Sequence, residues 1–185
     1  VPRPETETLV EAILNENLQG KTLLELGTGS GAISISIAQE IKDCFIFATD
    51  ISIKSILVAK QNAAKFCCEN IIFLNHDWNN EWLFPQVDYL ISNPPYVDKE
   101  ATNGKEEGIW HEPEIALFSK DKGLSDLKLI LTKGKNFLNE NGKVYLEHAP
   151  DQYEELNKFA VEKGYLNFSN LNDLNGDKRV SIYQC

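Results

Sequence analysis

The chain has 185 residues, 42% hydrophobic and 25% charged, which suits one domain with a full core. Its 18 basic against 28 acidic residues leave a net charge of −10, so chain-wide attraction to a phosphate backbone is excluded and nucleic acid is disfavoured as a partner. No apolar run reaches the roughly 18 residues that span a bilayer, so no membrane span is expected. No signal peptide opens the chain, and Cys44, Cys67, Cys68 and Cys185 form no C-x-x-C pair and have no histidine cluster beside them. The expectation is a reduced, cytoplasmic protein without a metal, in which one of the neighbours Cys67 and Cys68 is buried and the other exposed. The sequence contains no methionine and opens Val1-Pro2-Arg3, which reads as a fragment of a longer protein.

In chain order, Leu9, Val10, Ile13 and Leu14 recur at helical spacing after Pro4 and Thr6. Strand and helix then alternate: strand Lys21–Gly27, helix Ala32–Ile41, strand Cys44–Asp50, helix Ser52–Phe66, strand Asn70–Asp77 and strand Val87–Asn93. A helix over Ser125–Leu138, a strand over Gly142–His148 and a helix over Gln152–Gly164 follow. Two last strands, "YLNFSNL" and "RVSIYQC", flank Asn175-Gly176 and read as a hairpin. Five strand–helix alternations predict an α/β fold with a doubly wound, mostly parallel sheet, to which the hairpin adds an antiparallel strand. The stretch from Val97 to Lys122 has no periodic pattern, and its length of about 26 residues reads as a functional or a mobile loop.

The first strand runs into Gly27-Thr28-Gly29-Ser30-Gly31, where glycines permit a sharp turn and close approach of a ligand. Gly27, Gly29 and Ala32 satisfy the dinucleotide pattern G-x-G-x-x-G/A, and Gly27, Gly29 and Gly31 the looser G-x-G-x-G of S-adenosylmethionine binders. A plain tight turn is the third reading. Asp50 ends the second strand, where an acid can accept from ribose hydroxyls or cap the next helix in competition with Ser52. Asp77 and Trp78 end the third strand, an acid for an adenine amino group and an aromatic for a purine face, or else a loop acid and a packing ring. The ends of three strands would then line one crevice.

The fourth strand ends in Asn93-Pro94-Pro95-Tyr96. Two prolines stiffen the chain and push each preceding residue out of the helical region. The Asn93 side-chain carbonyl and the Pro94 main-chain carbonyl become two acceptors held apart by a rigid turn, suited to gripping both hydrogens of a planar –NH₂ group while Tyr96 stacks on it. A methyl donor needs such an oriented nitrogen and a dehydrogenase does not. The glycine loop and this tetrad together resemble the amino-methyltransferases, which act on –NH₂ groups of DNA, RNA or protein.

The segments "VPRPETE", "LELGTGSGAISISIA", "ATDIS", "HDW", "SNPPYV", "EPEIALFSKDKGL" and "DLNGDKRV", in this order over essentially the whole chain, resemble the HemK/PrmC family. The resemblance implies a seven-stranded Rossmann-like class I methyltransferase domain over residues 1–185 that moves a methyl group from S-adenosyl-L-methionine to a protein glutamine. The glutamine is that of the Gly-Gly-Gln motif in bacterial peptide chain release factors, the expected partners; a monomer is expected. An amino group of a DNA or RNA base is the alternative acceptor, which would require base extrusion and phosphate contacts. By the same resemblance Gly27, Thr28, Gly29, Ser30 and Gly31 hold the methionine part of the donor, Asp50 its ribose, and Asp77 and Trp78 its adenine. Asn93 sits between donor and acceptor, and Asn93, Pro94, Pro95 and Tyr96 bind the glutamine, with Asn93, Pro94 and Tyr96 as the catalytic set. Arg3 and Thr6 fall in the family's opening motif and close over the donor, or else are a solvated arginine and a helix cap, and Glu112-Pro113 orders the long loop. The family's N-terminal helical docking bundle is expected to belong to the missing part of the longer protein, and Leu146-Glu147-His148-Ala149-Pro150 stands where the family reads Leu-Glu-Ile-Gly. His76, His111 and His148 are expected to be structural.

Overall fold

A computed structural model describes residues 4–98, 118–121 and 123–185. Among these residues seven strands form one sheet: β1 (Lys21–Leu26), β2 (Cys44–Asp50), β3 (Ile71–Asn75), β4 (Val87–Ser92), β7 (Leu138–Glu147), β8 (Asn167–Asn172) and β9 (Lys178–Gln184). Their order is β3-β2-β1-β4-β7-β9-β8. The first five positions are parallel, and β9 runs antiparallel to both β7 and β8. This is the doubly wound sheet with a terminal antiparallel hairpin that the alternation predicted.

The central strands are apolar almost without interruption because both faces of the sheet are covered. Successive side chains point to opposite faces. Leu23, Tyr89, Ile91 and Tyr145 therefore meet helices α1 (Pro4–Leu14), α2 (Ala32–Glu40) and α3 (Ile53–Lys65) through Ile13, Ile37 and Ile56. Leu24, Leu26, Leu90, Val144 and Leu146 meet α4 (Ser125–Gly134) and α5 (Tyr153–Glu162) through Leu127, Ile130, Leu131 and Leu156. Most of these side chains are fully buried, each worth about 1.5–3 kcal/mol of transfer free energy. Glu16, just past α1, accepts from Lys143 Nζ and from the Tyr145 hydroxyl, both at 2.6 Å, and so ties the first helix to β7.

Three boundaries differ from expectation. The helix starting at Ser125 ends at Gly134 and tightens into a 3₁₀ turn over Lys135–Phe137. The next strand begins at Leu138 and not at Gly142, because the buried Leu138 pairs with Val87; the register then shifts before Tyr89 pairs with Lys143. The two ends of the long aperiodic stretch also zip together, β5 (Val97–Asp98) pairing in parallel with β6 (Phe118–Ser119). Arg3, His111 and Glu112-Pro113 lie outside the described residues. The expected hairpin forms around Asn175-Gly176, where Asp173 Oδ1 accepts from the amides of Asn175 and Asp177 at 2.9 and 3.1 Å. Cys68 is buried and Cys67 exposed. Among the described residues no helix is long and apolar enough to cross a membrane.

The chain runs outward from β1 to β2 and β3, then returns to β4 on the other side of β1. Open sheets of this kind hold ligands at that reversal, outside the carboxyl ends of the strands. The glycine loop leaves β1 there and the Asn-Pro-Pro-Tyr tetrad leaves β4.

Candidate active site

Gly27, Gly29 and Gly31 all adopt left-handed backbone, with φ of 77, 55 and 84°. The amides of Gly27 and Thr28 both donate to the Thr49 carbonyl, at 2.9 and 2.8 Å, which binds the loop to β2. Thr28 is buried and turns inward, its hydroxyl donating to Glu25 Oε2 at 2.8 Å. The amide of Ser34 donates to the same oxygen at 3.2 Å, and the Ser34 hydroxyl is a third donor. Glu25 is fully buried; desolvation pushes its carboxyl above the ordinary value, against the lowering by Ser34 and Thr28, and its Oε1 has no partner among the described residues. This bolt beneath the loop was not singled out from the sequence, although an acid in the buried run Leu23–Leu26 is a visible anomaly.

The Asp50 carboxylate braces the loop from the other side. Its Oδ2 accepts from the Gly29 amide at 2.9 Å and its Oδ1 from the Ser52 amide at 2.8 Å. Ser52, not Asp50, caps α3, its hydroxyl accepting from the Ser55 amide at 3.2 Å. A carboxylate has about four acceptor positions, so Asp50 keeps capacity toward the cavity it lines.

That cavity has a volume of about 510 Å³, within the usual range for small-molecule sites. Gly27, Gly29, Ser30, Asp50, Trp78, Asn93 and Pro95 reach its wall. So do Ile51, Ser52, Lys54, Ser55 and Val58 around the start of α3, which sequence reasoning did not select. Ile51 and Val58 are apolar residues left exposed there, a signal that becomes visible only with burial in hand. Trp78 stands against the loop: a methyl group on Gly27 would lie 3.2 Å from the indole Cζ3. The indole N–H donates to Asp126 Oδ1 at 3.1 Å, which sets the ring's orientation. Thr28 and Gly31 lie behind the loop and Asp77 outside the lining; Asp77 Oδ1 closes a turn by accepting from the Asn79 amide and side chain at 2.9 and 2.8 Å.

At the end of β4, the side-chain amide of Asn93 donates from Nδ2 to Thr6 Oγ1 at 3.1 Å, across 87 residues of sequence. Thr6 Oγ1 in turn donates to Glu147 Oε2 at 2.9 Å. The hydroxyl is therefore an acceptor toward Asn93 and a donor toward Glu147, which leaves Asn93 Oδ1 as the group turned elsewhere; it has no hydrogen-bond partner among the described residues. Pro94 and Pro95 are buried. The Tyr96 hydroxyl donates to Glu147 Oε1 at 3.0 Å. The fully buried Glu147 thus receives Thr6 from α1 and Tyr96 from the tetrad.

His148, next in the chain, is fully buried. Its Nδ1 donates to the Ala149 carbonyl at 2.8 Å, so its Nε2 accepts from the Ser181 hydroxyl at 2.7 Å: the neutral tautomer of a packing residue. Burial is the main cause that lowers its pKa to about 4 from 6.5. Below pH 6.5 the unfolded chain binds a proton here that the folded chain refuses until about pH 4. Stability therefore falls as pH falls through that window, by about 3 kcal/mol in total. Urea unfolding at pH 7 and pH 4.5 should show a smaller acid loss in His148→Asn than in the parent; equal losses would refute this assignment. His76 stacks edge-on against Phe84 at 5.0 Å, and burial lowers its pKa as well.

The sequence profile of the family described as "Methyltransferase small domain" matches residues 4–112. The release factor glutamine methyltransferase of Aliivibrio fischeri is 34% identical over 186 residues, covering 100% of this chain and 66% of that protein. The one from Buchnera aphidicola is 32% identical over 185 residues, covering 100% of this chain and 67% of that protein. The chain thus spans just under two thirds of the length of the release factor glutamine methyltransferase of Aliivibrio fischeri. A crystal structure of a methyltransferase from Pyrococcus furiosus superposes with a TM-score of 0.72 at 19% identity, over 99% of this chain and 83% of that one, a likeness of fold.

Proposed function

The chain belongs to the methyltransferase small domain family, and within it to the release factor glutamine methyltransferases; from that membership we propose that it is the catalytic domain that methylates the side-chain amide of the glutamine in the Gly-Gly-Gln motif of peptide chain release factors, with S-adenosylmethionine as donor. The observation that carries this reading is Asn93: a carboxamide locked by Thr6, lining the cavity that also holds the glycine loop, Asp50 and Trp78.

The cavity's residues fit the donor. Apolar walls from Ile51, Val58 and Trp78 suit a base, the Asp50 carboxylate suits a pair of ribose hydroxyls, and the side-chain-free backbone at Gly27 and Gly29 admits close approach. When bound, S-adenosylmethionine supplies an electrophilic methyl group on a sulfonium sulfur that leaves as a neutral thioether. The chain's own part is positioning and electrostatics. Asn93 Oδ1 and the Pro94 carbonyl accept the two hydrogens of the substrate amide, which turns the nitrogen toward the cavity and favours positive charge developing on it. Tyr96 walls the amide plane. A proton leaves the nitrogen only after the new bond has formed, so the site needs no strong base before attack.

The test is transfer of labelled methyl from S-adenosylmethionine by the full-length protein to a release factor, beside unmethylated DNA and ribosomal RNA. Label on the Gly-Gly-Gln peptide is the expected result; label on nucleic acid alone would overturn the reading. A second measurement addresses the donor pocket. Trp78→Ala should weaken S-adenosylmethionine binding about 10–100-fold by calorimetry, since a buried aromatic face contributes on the order of 1.5–3 kcal/mol. Unchanged affinity would remove Trp78 from the site.

A further inference from the structure

The turn Asn93-Pro94-Pro95-Tyr96 cannot hold itself. Its two prolines carry no N–H, so it is anchored from outside, through its acceptors. One anchor comes from just beyond the segment that departs from the family pattern. Gln152, at the start of α5, is buried at 6% exposure. Its Oε1 accepts from the Ala149 amide at 2.9 Å and its Nε2 donates to the Tyr96 carbonyl at 2.9 Å. Ala149 N–H can only donate and Tyr96 C=O can only accept, so the two partners fix which way the carboxamide faces. Gly123 covers the same contact: with φ of 82°, a methyl group there would lie 2.0 Å from the Tyr96 carbonyl oxygen and 2.5 Å from Gln152 Nε2. With Glu147 on its hydroxyl, Tyr96 is gripped at both ends by the chain that leaves β7.

We propose that Gln152 is a positioning residue for the acceptor clamp: its donation to the Tyr96 carbonyl sets the exit of the turn, and through it the angle at which Asn93 Oδ1 and the Pro94 carbonyl meet the substrate amide. The proposal rests on the glutamine methyltransferase reading above. The Ala149 amide, and with it the His148-Ala149-Pro150 segment, is the other end of the brace.

Gln152→Ala and Gln152→Glu in the full-length protein test it. Glutamate keeps an acceptor for Ala149 but, when ionised, turns a second oxygen without a proton toward the Tyr96 carbonyl; protonation restores the donor. At pH 8 both variants should lose about 10–100-fold in single-turnover methyl transfer to a release factor, with S-adenosylmethionine affinity unchanged, since small displacements of a reacting group cost that much. Between pH 8 and pH 6 the rate of Gln152→Glu should rise relative to Gln152→Ala by about fivefold or more as its carboxyl gains the proton. A side chain that served packing alone would give the two variants parallel pH profiles, which overturns the proposal. Hydrogen exchange at the Tyr96 and Val97 amides, read without acceptor, should be about tenfold faster in Gln152→Ala. A wild-type protein that methylates no glutamine refutes the functional reading, while exchange still decides on Gln152. Unchanged exchange in Gln152→Ala overturns the positioning role whatever the substrate.

Discussion

Asn93→Ala is expected to lower methyl transfer about 10²–10³-fold, the range seen when one preorganised polar contact to a developing charge is deleted. S-adenosylmethionine affinity should change little, because the proposed donor pocket keeps Gly27, Gly29, Asp50 and Trp78. The loss arises from geometry. Asn93 Nδ2 is held by Thr6 and Thr6 by Glu147, which leaves Oδ1 as the acceptor proposed to meet the substrate amide. Asn93→Asp should fare no better, although it keeps an acceptor. Thr6 already gives its hydroxyl hydrogen to Glu147, so a carboxylate at position 93 finds no donor there and adds charge near a buried carboxylate. Single-turnover rates and calorimetric affinities on both variants check this. A kcat within twofold of the parent in Asn93→Ala would remove the residue from the mechanism.

Gly123→Ala should lower the melting temperature by about 10 °C and also cut methyl transfer at least about 10²-fold. Two costs combine. Left-handed backbone at φ of 82° penalises an L side chain by about 1–2 kcal/mol. The added methyl would also lie 2.0 Å from the Tyr96 carbonyl oxygen and 2.7 Å from its carbon, main-chain atoms that cannot rotate away. Forcing a core apart in this way costs about 1–3 kcal/mol more. Gly20→Ala is the control: φ there is 69°, but nothing lies within 4 Å of the new methyl. Differential scanning fluorimetry of the pair separates strain from clash. Equal shifts in the two variants would show that the contact with Tyr96 carries no weight.

Much of the architecture was legible because its signals are local. Apolar runs bounded by turn residues marked β1, β2, β4 and the core of β7, and α1 followed from the helical spacing of Leu9, Val10, Ile13 and Leu14. Where local pattern and tertiary pairing disagreed, pairing prevailed. Leu138 reads as the end of a helix, yet it joins the sheet because Val87 lies beside it. Other details are local: Asp77, expected at the adenine, also closes a turn onto Asn79, since aspartate bonds readily to the backbone two residues on. Ile51 before α3 and Val58 on it escaped notice because an exposed isoleucine or valine looks ordinary until the fold gathers several around one opening.

The sequence by itself determined the glycine loop after β1 and the rigid tetrad after β4. Backbone freedom and proline stiffness act within a few bonds and need no partner to be read. The tertiary structure alone decided what holds those two elements: Asp50 to the glycine loop at Gly29 across 21 residues, and, on the tetrad, Thr6 to Asn93 across 87 residues, Tyr96 to Glu147 across 51, and Gln152 to Tyr96 across 56. Such contacts exist only after α1 has docked and β7 has taken its place beside β4. A hydrogen bond of about 3 Å depends on the whole register of the sheet, and no spacing along the chain encodes it.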